Sequence, residues 1–65
     1  KEGHMARLVV KVKDFRVVKT DSKMNPYTVK QRYFSMVDCG WHERTVVKYA
    51  DLKSCMYYLA EAVTD

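Results

Sequence analysis

Apolar and polar positions alternate from Ala6 onward, with Leu8, Val10 and Val12 on one parity and Arg7, Val9, Lys11 and Lys13 on the other. A two-residue period is the pattern of a half-buried strand. The alternation slips at Asp14, where an apolar residue is due, and Phe15 and Val17 continue on the opposite parity. The pattern predicts one long first strand, Ala6 to Lys19, with a bulge or bend near Asp14. The segment Thr20–Pro26 carries turn chemistry, since Asp21, Ser22 and Asn25 can bond their own backbone and Pro26 fixes its φ. A second strand is predicted from Tyr27 to Cys39, with Val29, Tyr33 and Val37 on one side and Lys30, Arg32, Phe34 and Met36 on the other. Cys39-Gly40 reads as the next turn, with the glycine free to take positive φ. Trp41 to Tyr49 reads as a third strand, Trp41, Thr45, Val47 and Tyr49 facing away from His42, Arg44, Val46 and Lys48.

The period then changes. Leu52, Cys55, Met56, Leu59 and Val63 fall on a single helical stripe, and Asp51 stands where a capping side chain accepts from the first-turn amides. The predicted fold class is therefore α+β: a three-stranded antiparallel sheet in the order β-β-β-α, with one C-terminal helix packed on one face. The face expected under the helix carries Leu8, Val10, Val12, Tyr33, Val37, Val47 and Tyr49. A single helix leaves the other face uncovered. That face is expected to collect Lys11, Lys13, Lys30, Arg32, Arg44 and Lys48 around Val9, Phe34, Met36 and Val46.

Gly3-His4-Met5 matches the remnant of a cleavable tag, so Lys1–His4 is set aside and residues 5–65 are read as one small domain starting at Met5. A chain of about sixty residues buries roughly 60% of its unfolded surface, which leaves little room for a core and a deep catalytic cleft together. The expectation is a protein that is not an enzyme. The net charge of +4, from twelve basic and eight acidic residues, fits attraction to an acidic protein surface or a phosphate backbone and equally a lysine excess that keeps a small domain soluble. No apolar run reaches the length of a membrane span and no signal-peptide core follows Met5, so a cytoplasmic location without membrane contact is expected.

Cys39 and His42 have the spacing of half a zinc site, with Cys55 as a third ligand, but a fourth is lacking and no metal or other cofactor is expected. The same pair would need an orienting carboxylate and an oxyanion site, of which the chain offers no convincing set, and no phosphate-binding glycine loop is expected, with Asp38 read as a turn residue. Tyr57, with Lys53 and Glu61 on the outer helix face, forms a second, smaller candidate surface. The run Arg32-Tyr33-Phe34-Ser35-Met36-Val37 resembles the core strand of the RNA recognition motif in placing a basic residue before aromatics. Both glycines of that motif are missing, and only Phe34 falls on an aromatic position. The element order is similar to the arm-type DNA-binding domain of phage integrases, which would imply a sheet laid in the major groove, although the basic start of that family's helix is absent.

The functional expectation is a small binding protein that docks on a larger protein with an acidic surface and modulates it, in the manner of phage and mobile-element factors that redirect host machinery. The alternative is nucleic-acid binding by the same open face. The residues expected to carry either role are Lys11, Lys13, Lys30, Arg32, Phe34, Met36, Arg44, Val46 and Lys48, in a monomer or weak dimer.

Overall fold

The computed structural model describes residues 7–64; the tag remnant read at Lys1–His4, and Met5 as the start, lie outside them. Its elements are β1 (Arg7–Val12), β2 (Phe15–Lys19), β3 (Tyr27–Ser35), β4 (Gly40–Tyr49) and α1 (Leu52–Thr64). The sheet has four strands, not three, in the order β1-β2-β3-β4, with every neighbouring pair antiparallel. The four-stranded order also removes the likeness to the integrase domain, which rested on three strands.

The extra strand comes from the segment expected to be continuous. Val12 stands opposite Phe15, so Lys13 and Asp14 form a tight turn. A two-residue loop places residues three apart in sequence on one face, so the parity slip at Asp14 marks a hairpin rather than a bulge. Lys13 accordingly adopts φ 54°, and Lys13-Asp14 lacks the glycine that usually advertises such a turn. The Asp14 carbonyl accepts a 2.9 Å hydrogen bond from the Arg32 amide, which ties the turn to β3.

The bulges lie elsewhere, at Val9 in β1 and Val46 in β4, where the partner strand skips one residue. An extra residue moves everything on one side of it to the opposite face. Leu8 therefore pairs with Val18, away from the helix, while Val10 pairs with Val17 beneath it. In β4, Val47 and Tyr49 face the helix, but Trp41, Glu43 and Thr45 lie on the open face opposite Phe34, Arg32 and Lys30. The predicted placements of Leu8 and Trp41 are both overturned by these bulges.

The core is small: Val17, Val29, Cys55 and Leu59 are buried, bordered by Val10, Val12, Phe15, Tyr27, Val47, Tyr49, Leu52 and Tyr58. Helix α1 contributes the predicted stripe, with Cys55 and Leu59 at its centre. Asp51 caps it, accepting a 2.9 Å hydrogen bond from the Ser54 amide. Burial raises the pKa of the Cys55 thiol, with the Asp51 charge adding to the effect, so it packs as a neutral, small apolar group. The Thr20–Pro26 loop closes as expected, with the Thr20 amide donating to the Pro26 carbonyl at 2.7 Å.

β3 ends at Ser35, four residues earlier than predicted, and Met36–Cys39 form the turn to β4. Val37, expected beneath the helix, is 96% exposed in that turn, and Met36, expected on the open face, is 80% exposed. The left-handed residue is Cys39, with φ 53°, not Gly40. The position before the strand takes up the reversal, so Gly40 can pair opposite Ser35 as the first residue of β4.

Candidate binding face and hairpin arm

The β3–β4 ladder runs from Tyr27↔Tyr49 to Ser35↔Gly40, whereas β2 pairs with β3 only as far as Phe15↔Gln31. Beyond Gln31 the two long strands continue as a two-stranded ribbon, an arm reaching past the helix-covered part of the sheet. The molecule is accordingly flat, 35 × 34 × 16 Å, with a radius of gyration of 12.7 Å, where a compact chain of this length would have about 11 Å.

On the open side of the arm the Arg32 guanidinium lies 4.8 Å from the Trp41 ring centroid. Phe34 meets the same indole edge to face at 5.4 Å. These aromatics remain accessible, Trp41 59% and Phe34 44%. Next to them Arg16 of β2 reaches across β3 and grips Glu43 of β4 with both ends of its fork, at 2.7 and 2.8 Å. That hydrogen bond, more than the charge itself, lowers the Glu43 pKa and raises that of Arg16. A groove of about 510 Å³ runs over this side, lined by Leu8, Lys11, Arg16, Arg32, Trp41, His42 and Glu43. Nearer the loop the same face closes up, with Val18 and Thr28 buried.

Of the residues expected on the open face, the pairing places Lys11, Lys30, Arg32, Phe34 and Lys48 there. Lys13 sits in the β1–β2 turn and Met36 at the arm tip. Val46 is the half-buried extra residue of the β4 bulge. Arg44 lies on the opposite face, because the bulge reverses its parity. There it donates a 3.1 Å hydrogen bond to Gln31 Oε1 and stands 5.5 Å from the Tyr33 ring. Tyr33, expected to be covered by α1, lies beyond the helix on this face, 41% exposed and tilted against His42.

Sequence reasoning missed Arg16, Trp41, Glu43 and Leu8. Only Arg16 had a signal, the parity slip at Asp14, which, read as a hairpin, sets it beside Lys30; Leu8, Trp41 and Glu43 were displaced by the bulges at Val9 and Val46. The open face thus gathers five cations, Lys11, Arg16, Lys30, Arg32 and Lys48, against the one carboxylate of Glu43 among the described residues.

Cys39 and His42 do not join Cys55. Cys39 is exposed at the arm tip, Cys55 is in the core, and His42 Nε2 lies 2.8 Å from Asp38 Oδ2. Among the described residues no three His, Cys, Asp or Glu side chains gather as a metal site. No described helix is long and apolar enough to cross a membrane. Comparison with protein-family models, curated proteins and solved structures yields no match.

Proposed function

We propose that this chain is a non-enzymatic binding protein that docks through the open face of its β3–β4 arm on a larger protein with an acidic surface. The observation that carries this reading is the exposed cluster of Trp41, Arg32 and Phe34 on a two-stranded ribbon. Trp and Arg are enriched at the energetic centres of protein interfaces, and a Trp buries a large area at the cost of fixing only two torsions. Lys11, Lys30 and Lys48 around the cluster supply a basic rim that steers an acidic partner.

Nucleic-acid binding by the same face is the second reading, favoured by the excess of cations and an indole on which a base could stack. It ranks lower because Arg16 is already committed to Glu43 and Arg32 to Trp41. Glu43 would also face the phosphates.

The two readings predict different outcomes for one set of variants. The partner is captured from lysate with the wild-type chain and then titrated against purified wild-type, Trp41→Ala and Lys30→Ala proteins by calorimetry. Protein docking predicts that Trp41→Ala weakens binding more than about tenfold and Lys30→Ala only a few-fold. Micromolar binding to random-sequence DNA or RNA, falling steeply with salt and weakened mainly by Lys30→Ala, would overturn the proposal.

A further inference from the structure

The layer opposite the basic face holds a second groove, of about 620 Å³, between α1 and the outer strand β4. Tyr49 reaches it from β4, while Ser54, Tyr57, Tyr58 and Glu61 reach it from one side of the helix. The helical spacing of these four residues aligns them along the groove. Tyr49 and Tyr58 are tilted by 54° with centroids 6.4 Å apart, so the two rings form adjacent walls rather than a closed stack. Tyr57 is 66% exposed on the outer side.

The lining of this groove differs in charge from the basic open face, although Lys53 stands one turn before Tyr57 on the outer helix face. In a chain of net charge +4, its lining contains a carboxylate and, among the described residues, no lysine or arginine. The protein's own cations already stand over other rings: Lys19 over Tyr27, Arg32 over Trp41 and Arg44 over Tyr33. Among the described residues none stands over Tyr49, Tyr57 or Tyr58. Three tyrosine rings lining a groove with one carboxylate attract a cation through ring quadrupoles and direct charge together. A compact ammonium such as lysine is strongly hydrated, and giving up that water against aromatic rings is costly. An alkylated ammonium has a thin hydration shell and an apolar surface, which suits rings best.

We infer that the Tyr49–Tyr57–Tyr58–Glu61 groove is a binding site for a quaternary ammonium group. The site goes beyond the docking role of the open face and stands or falls independently of it.

The test is an NMR titration of the whole chain with choline, with its uncharged carbon isostere 3,3-dimethylbutan-1-ol, and with a short peptide carrying trimethyllysine. The expected result is saturable shifts at the rings of Tyr49, Tyr57 and Tyr58 with choline in the millimolar range, and binding of the neutral isostere at least about fivefold weaker. Glu61→Gln is expected to weaken choline about three- to tenfold, and Tyr57→Leu to remove saturation. Both side chains lie on the exposed helix surface, so the amide spectra of these variants keep the wild-type dispersion. Tighter binding of the peptide than of choline places the group on a polypeptide, and equal binding places it on a free small molecule. Equal affinity for choline and its isostere, shifts that do not saturate, or shifts centred on Trp41 would each overturn the inference.

Discussion

Arg16 and Glu43 lie two strands apart, and their paired hydrogen bonds span β3 between them. They pin the open face where β2 ends and the arm begins. The pKa of Glu43 lies below the ordinary glutamate range because the Arg16 hydrogen bond favours its charged form. A lowered carboxylate pKa contributes stability at any pH above the unfolded-state value, and that stability is lost as pH falls through the folded-state value. The expected outcome is a Glu43 carboxyl resonance that titrates at lower pH than that of a model glutamate, returning to the ordinary range in Arg16→Gln. Carbon-detected NMR between neutral and acid pH measures both. Both side chains are partly exposed, so salt should narrow the difference between wild type and variant. The pair was not legible in the sequence, since nothing local sets Arg16 against a carboxylate that only a three-strand register brings near. The cap at Asp51 was legible, because capping depends on residues three apart in the chain.

Each element's type was legible wherever one period persisted. The helix and its stripe follow from five apolar positions, and Leu59 and Cys55 do fill the core. The boundaries between strands were legible only where turn residues announce them, as at Thr20–Pro26. Lys13-Asp14 reverses the chain with a left-handed Lys13, a residue that does not advertise a turn, and the turn read at Cys39-Gly40 from its glycine falls at Met36–Cys39 with Cys39 left-handed. The bulge at Val46 was hidden for another reason: Val46 and Val47 are both apolar, so alternation cannot tell which of them faces the helix. The dependence of this two-layer core on one helix gives a stability prediction. Leu59 is 2% exposed and is one of two helix residues in the buried centre. Leu59→Ala should cost about 2–5 kcal/mol through lost burial and a residual cavity. A domain of this size has on the order of 5 kcal/mol to lose. Urea unfolding followed by circular dichroism should therefore show a midpoint lowered by roughly half or more at 25 °C, whereas Met56→Ala, at the exposed edge of the stripe, shifts it only slightly.

At the scale of the whole molecule, an open face with five cations and one carboxylate sets how the protein treats copies of itself. The arm exposes Phe34 and Trp41, and among the described residues no strand pairs with the outer edge of β4, so apolar area and a sheet edge are both present to drive association. Opposing this, two open faces brought together would set Lys11, Lys30, Arg32 and Lys48 against their own copies. Like charges at interface spacing repel most when the Debye length is long, roughly 20–30 Å near 0.01–0.02 M salt and about 4 Å near 0.5 M. Screening therefore weakens the repulsion and leaves the apolar contact in place. The expected outcome is a monomer at low salt and a growing dimer population as salt rises, measured by sedimentation velocity at fixed protein concentration. Attraction to an acidic partner must respond in the opposite sense, weakening as salt is added. Trp41→Ala should remove the dimer and weaken partner binding at every salt concentration, because the same exposed indole lies at the centre of either contact. A dimer that is strongest at low salt and dissociates as salt rises would place self-association elsewhere, through opposite charges rather than through the basic arm.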